Sequence, residues 1–485
     1  MSNEVRNLEP KAVWNFFEDL NAVPRASKKE ERVRAFMVQF GEFLGLPTSV
    51  DEIGNILITK PATPGMEDRQ TVVLQGHVDM VHQKNNDTDF NFDTQGIQSF
   101  IEGDWVKAKG TTLGADNGMG VAAIMAVLAS TEMAHPAVEA LFTIDEETGM
   151  TGAIGLKGGV LTGTIMLNMD TEEDNELTIG CAGGVDTNVS YTYTKETMPV
   201  GAVAYKLVVR GLSGGHSGMD INKELGNANR IMNRLMWDAY QNYGLRVAEI
   251  DGGGLRNAIP RESNAVVTVM DAKSFENHIN AMAASIKQEY QAVEPNMEIF
   301  CDPCKDPEHV MDLDSQEKMI KALAALPNGV FRMSTDVEDL VETSSNLARV
   351  LVKDGKFLCQ SLQRSSVESQ KWEVARSVKA AFELMGAQVE NDGSYPGWTP
   401  KPTSAIVSMM SDLYQELFSE KPHVNACHAG LECGILGTNY PGMEMISYGP
   451  TIRGAHSPDE RVQISSVQKF WKYTVETMKR IPKKV

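Results

Sequence analysis

The spacing of apolar and polar positions divides the chain into three stretches. In the first, residues 10–17 and 28–43 collect aromatic and aliphatic side chains on one face of a 3.6-residue period and predict helices. Residues 55–59 and 71–75 are short runs of β-formers and predict strands. The turn formers Asp116-Asn-Gly come next, with Asn117 as the expected cap of a small-residue helix over 118–129. Residues 137–144 and 163–169 predict two more strands. Strands separated by helices imply a parallel or mixed α/β sheet.

From about residue 185 the texture changes. A strand over 204–211, a helix over 227–243, a strand over 265–270 and a helix over 275–293 are followed by a similar series ending in a helix over 371–385. This predicts an α+β domain of two related half-units, although no repeat is visible in the sequence itself. The segment Asn391-Asp-Gly-Ser-Tyr-Pro-Gly-Trp-Thr-Pro-Lys-Pro402 is rich in turn formers and predicts a linker. A helix over 404–417 and a strand over 443–448 follow it. The simplest architecture is an α/β domain in two pieces, 1–186 and 398–485, interrupted by an inserted domain, 187–397.

Composition narrows the function. A chain of 485 residues exceeds one ordinary core. The net charge of −20 opposes binding to nucleic acid, whose phosphates require a basic face. The first ten residues are charged, without the apolar centre of a secretory signal, and the longest apolar run, 120–129, is too short to cross a bilayer. Neither a membrane nor a nucleic-acid partner is therefore expected. Six scattered cysteines suit a reducing cytoplasm. Cys301-Asp-Pro-Cys304 has redox or zinc-knuckle spacing, but no second pair accompanies it, so it reads as two free thiols.

The candidate chemistry starts at Thr71-Val-Val-Leu-Gln-Gly-His77-Val-Asp79. In extended backbone His77 and Asp79 point the same way, and a carboxylate beside an imidazole is how proteins orient a metal ligand. Further acids follow strand patterns at Asp145, Glu146, Glu147 and Asp170. Asp116 lies in a glycine-rich turn and His456 in a loop after the last strand. Taken singly, each has an ordinary explanation as a turn or strand-end residue. Their joint occurrence points elsewhere, because functional groups of open α/β sheets gather at the carboxyl ends of strands. Three consecutive carboxylates there would repel one another unless a cation relieved them. Two histidines and three carboxylates match the donors zinc accepts, and one bridging carboxylate allows two ions about 3.5–4 Å apart.

Six strings carry a resemblance: Gly76-His-Val-Asp-Met-Val81, Gly114-Ala-Asp-Asn-Gly118, Asp145-Glu-Glu-Thr-Gly149, Asn168-Met-Asp170, Gly214-Gly-His-Ser-Gly218 and Ala455-His-Ser-Pro-Asp-Glu460. In this order they resemble the co-catalytic zinc peptidases that include aminoacylases, carboxypeptidase G and several dipeptidases. Leu255-Arg-Asn-Ala-Ile-Pro-Arg261 and His428-Ala-Gly-Leu-Glu-Cys-Gly434 extend the likeness.

The resemblance implies a zinc-peptidase catalytic domain with the inserted domain as a lid. It implies two Zn2+ per chain, with Co2+ or Mn2+ as substitutes. Asp116 would bridge the ions, His77 and Asp170 would complete one, and Glu147 and His456 the other. Glu146 would be the general base, Asp79 would orient His77, and His216 would stabilise the oxyanion. Asn257 and Arg364 would hold the substrate carboxylate, with His428 lining the pocket. The implied reaction is hydrolysis of dipeptides, Xaa-His dipeptides such as β-alanyl-histidine among them. An N-acyl amino acid amidohydrolase or a carboxypeptidase would use the same metals. The pattern also includes either a homodimer formed through the lid or an equivalent contact made by the large lid within one chain, and with it two places for His216, in its own site or in a neighbour's.

Overall fold

The computed structural model describes residues 4–484, which form two compact units. Among the described residues, the first comprises 4–180, 400–426 and 431–484; the second comprises Cys181–Thr399 and Cys427–Gly430. The division has five chain segments where the sequence suggested three, because the short stretch 427–430 groups with the second unit.

The first unit is built on an eight-stranded mixed sheet. Its centre is four parallel strands in the order Val138–Thr143, Val72–His77, Ile165–Asn168 and Glu444–Ser447. Val72–His77 and Val138–Thr143 are buried along their whole length, as expected of central strands covered on both faces. The helix Ala115–Ala129 is almost wholly buried, which explains its small-residue composition. Lys11–Asn21 and Ile464–Arg480 are amphipathic, with Trp14 and Phe17 of one and Phe470 and Tyr473 of the other turned inward.

Register aligns the ends of the parallel strands. His77 pairs with Thr143, Gln75 with Asn168, and Asn168 with Ser447. The segments that leave these strands therefore start at one level, and the acids predicted as site residues in this unit lie in such segments, Glu146 and Glu147 in the short helix Glu146–Gly149, or in the turn that opens the buried helix.

The second unit has a nine-stranded antiparallel sheet; eight strands resolve into two halves, and the ninth, Gly329–Met333, pairs with Val341–Lys353 off that path. The first half contains Val203–Arg210, the helix Ala228–Tyr243, Arg246–Gly253, Ser263–Val269, the helix Ala272–Glu289 and Glu298–Pro303. The second contains Gly183–Thr192, the helix Leu313–Ala325, Val341–Lys353, Lys356–Ser365, the helix Glu368–Met385 and Gln388–Tyr395. In both, the strands lie in the order fourth, first, third, second, and the halves join through their second strands, Ile250 opposite Val352. The first half is inserted after the first strand of the second, which hides the repeat from a linear reading.

Two local expectations are corrected. The linker expected over 391–402 is in its first part strand: Gln388–Tyr395 pairs with Gly183–Thr192. Tertiary pairing overrides the turn-forming composition there. Asn117 does not cap its helix; its side-chain amide donates instead to the Met169 carbonyl at 2.5 Å. Among the described residues no helix is long and apolar enough to cross a membrane.

Candidate metal centre

The central parallel strands deliver the site. His77 is the last residue of its strand, Glu146 and Glu147 follow the neighbouring strand on one side, and Asp170 follows the neighbour on the other. Asp116 stands at the start of the buried helix, with non-helical backbone angles, and His456 lies in the loop beyond the fourth strand.

Asp116 is the centre of the arrangement. Its Oδ1 lies 3.2 Å from His77 Nε2 and its Oδ2 lies 3.2 Å from His456 Nε2. His77 Nε2 is also 3.5 Å from Asp170 Oδ1 and 4.0 Å from Glu146 Oε2. On the other side, His456 Nε2 is 2.9 Å from Glu147 Oε2. Two donor triplets result, His77–Asp116–Asp170 and Asp116–Glu147–His456, sharing one carboxylate.

Asp79 sits behind His77, with Oδ1 3.3 Å from the second ring nitrogen. The Asp79 carboxylate also accepts from the Ser27 hydroxyl at 2.8 Å and from the backbone amides of Glu146 and Glu147. The three consecutive acids diverge. Asp145, in a left-handed conformation, accepts the hydroxyls of Thr148 and Thr151, while Glu146 and Glu147 turn to different histidines.

Burial and neighbouring charges set the proton affinities of these groups. Burial draws His77 towards the neutral form, but Asp170, Asp116 and Asp79 outweigh it and raise its pKa well above the ordinary histidine value. His456 is pushed up to about 11 by its hydrogen bonds to Asp116 and Glu147. Burial works to raise Asp116, yet its bonds to His456 and His77 hold it well below the usual carboxylate range. Burial lifts Asp170 to about 6 and raises Glu146 well above the usual value, with Asp170, Glu432 and Glu147 adding to the effect on Glu146.

The donor set fits divalent cations. One proton on His77 Nε2 cannot serve Asp116, Asp170 and Glu146 together. Glu147 Oε1 and Asp170 Oδ1 are buried without hydrogen-bond partners. Orphaned buried oxygens are costly unless a ligand claims them. Two imidazoles and three carboxylates form a nitrogen–oxygen set suited to zinc and its neighbours in the series.

The other predicted residues form a separate group in the second unit. His216 Nδ1 accepts the backbone amides of Gly218 and Met219 at 3.2 and 3.1 Å. Its proton therefore sits on Nε2, and burial together with Arg364 lowers its pKa, so it is a neutral donor. Arg364 is buried and donates to the Tyr395 hydroxyl at 2.9 Å. His428 bonds Ser344 at 2.7 Å, and burial, Arg364 and His216 bring its pKa down to about 3. Asn257 is exposed, and its carbonyl accepts from the Ser217 amide at 2.8 Å, which joins its loop to that of His216.

A scan against protein-family models matches residues 73–480 to peptidase family M20/M25/M40. The chain belongs to this family. This M20 peptidase is 41% identical to the cytosol non-specific dipeptidase of Escherichia coli (strain K12) over 484 residues, 99% of this chain and 100% of the relative. It superposes on the crystal structure of the aminoacylhistidine dipeptidase from Vibrio alginolyticus with TM-score 0.93 and 42% identity, covering all of both chains. The aminopeptidase PepT from Bacillus cereus, at 15% identity and TM-score 0.57, covers 98% of this chain and 99% of its own and shares the fold.

One residue beside the site, Arg25, escapes a sequence reading. Arg25 is buried and donates to the carbonyls of Val78, Asp79 and Gly114. Glu432 accepts from Gln75 at 2.7 Å and Thr143 at 2.6 Å beneath the strand ends, and burial raises its pKa to about 7. Arg25 sits in no local pattern that marks it, whereas Glu432 lies within the string 428–434 that carries the likeness. Cys301 and Cys304 form no disulfide, and burial pushes Cys301 up to about 11, away from thiolate chemistry.

Proposed function

We propose that this M20 peptidase is a cytoplasmic dipeptidase of broad specificity, acting on Xaa-His dipeptides such as β-alanyl-histidine among others. Two divalent cations, zinc foremost, would be held by His77 and Asp170 on one side, Glu147 and His456 on the other, and Asp116 between them. The observation that carries this reading is Asp116, whose two oxygens each face a different histidine at 3.2 Å. The near full-length similarity to two dipeptidases supports the substrate class.

When bound, the cations supply Lewis acidity that polarises the scissile carbonyl and brings the ionisation of water towards neutral pH. The protein's own part is proton handling and orientation. Glu146, raised by burial, takes a proton from the attacking water and returns it to the leaving amine. Asp79 fixes which nitrogen of His77 faces inward. His216 offers its Nε2 proton to the carbonyl oxygen as that oxygen gains charge, a contact of a kind worth about 2.7–4 kcal/mol.

Arg364 receives the substrate carboxylate, helped by Asn257 and His428. Among the described residues no carboxylate lies within ion-pair distance of this buried guanidinium, which has a tyrosine hydroxyl as its side-chain partner. Planar bidentate pairing suits arginine to that task. Fixing the carboxylate one residue from the scissile bond sets the substrate length at two residues.

The test is a kinetic ladder on the zinc-loaded protein. Dipeptides should be cleaved with higher kcat/KM than the matching tri- and tetrapeptides, and N-acetyl amino acids should be poor substrates. Equal turnover of all lengths, or preference for the N-acetyl compounds, would move the assignment to a carboxypeptidase or an amidohydrolase.

A further inference from the structure

Glu460 is a buried acid that the proposed reaction does not use. It is 2% exposed, and both its oxygens are filled by backbone amides. Oε2 accepts from Leu113 at 2.7 Å and Gly114 at 2.9 Å; Oε1 accepts from Ala115 at 2.7 Å and Asp116 at 3.2 Å. Four consecutive N–H groups thus converge on one carboxylate. They belong to the turn that leads into the helix Ala115–Ala129, with Gly114 at its N-cap and Asp116 still outside helical geometry.

The location gives this contact its consequence. Glu460 lies four residues after His456, and the amides it holds end at Asp116 itself. The same loop is also held by Arg25. The Gly114 carbonyl accepts from Arg25 at 2.6 Å, and Arg25 also donates to the Val78 and Asp79 carbonyls beside His77. Gly114 takes φ +70°, and a Cβ there would lie 2.4 Å from the Arg25 guanidinium. The loop is therefore held both by a carboxylate on its amides and by a guanidinium on its Gly114 carbonyl.

We infer that Glu460 is a positioning residue for the metal centre: its carboxylate locks the His456 loop to the Asp116 loop and fixes the distance between the shared carboxylate and its second histidine. The inference rests on the proposed ligand roles of Asp116 and His456. Its chemistry is that of an outer partner orienting ligands, whose loss costs about 10- to 100-fold in metal affinity.

The test is Zn2+ binding to the full-length apoprotein, measured by competition with a chromophoric chelator below the melting temperature. Wild type, Asp116→Asn, Glu460→Gln and Glu460→Asp are compared. Glu460→Gln should bind the weaker of two zinc ions about 10- to 100-fold less tightly. Glu460→Asp, which keeps the charge on a shorter arm, should fall between it and wild type, and it serves alone if the glutamine variant does not fold. Asp116→Asn separates the two readings. If it binds zinc like wild type, the ligand assignment itself fails. If it loses zinc while the folded Glu460 variants keep wild-type affinity and merely melt earlier, Glu460 is a stabilising cap only and the inference is overturned.

Discussion

At the scale of single residues, neighbours in sequence have different environments and so different chemistry. Glu146 and Glu147 share a backbone turn, yet one faces His77 at 4.0 Å and the other His456 at 2.9 Å. Glu146→Gln keeps the shape and removes the base. Its kcat is expected to fall about 10²- to 10⁴-fold with zinc content by elemental analysis unchanged. Glu147→Gln is expected to lose zinc as well. His428 offers a pH test in the second unit. Its pKa is about 3 in the fold against 6.5 as the reference value, so between these values the unfolded chain binds the extra proton. Stability should therefore rise with pH through that window and fall as pH is lowered, at up to about 1.4 kcal/mol per unit. Melting curves from pH 7 to 4 should drop more steeply for wild type than for His428→Gln.

At the scale of elements, the site depends on how closely one helix approaches one strand. Gly120, within Ala115–Ala129, faces the end of the strand that leads to Asp170; a Cβ there would lie 2.2 Å from the Met169 carbonyl and 2.8 Å from Asn117 Oδ1. In a free helix Gly→Ala would add about 1 kcal/mol. Here the clash should reverse the sign, and Gly120→Ala is expected to cost about 1–3 kcal/mol in denaturant unfolding and to weaken zinc binding by shifting Asp170. The element pattern was largely legible. The β-forming runs before His77 and Asp145 are strands, and the small-residue run after Asp116 is a helix. The failures have a common cause. Asn117 and residues 391–395 contain groups that make turns when left to themselves, but a carbonyl and an open strand edge supply better partners.

At the scale of the whole molecule, the candidate metal ligands belong to the first unit, whereas His216, Arg364 and His428 belong to the second. Zinc bound by the first unit should stabilise that unit alone, by mass action on its folded form. Calorimetry is expected to show two transitions, one lowered by a chelator and one unmoved; a single transition shifting as a whole would show that the units unfold together. The second unit also holds a duplication that sequence patterning suggests and topology reveals. Both halves place their strands in the order fourth, first, third, second, but one is threaded into the other, so equivalent elements are not evenly spaced along the chain.

Sequence alone determined the residue types, their order and the periods that make strands end at His77, before Asp145 and before Asp170. Those are local properties, set by side-chain alternation and turn chemistry, and six strings were enough to recognise a family. Only the tertiary structure decided which oxygen of Asp116 faces which histidine, that Arg25 and Glu460 both hold its loop, and that His216 carries its proton on Nε2. These depend on register between strands far apart in the chain and on backbone amides that every residue possesses. Such amides leave no mark in the sequence until folding aims them at a common point.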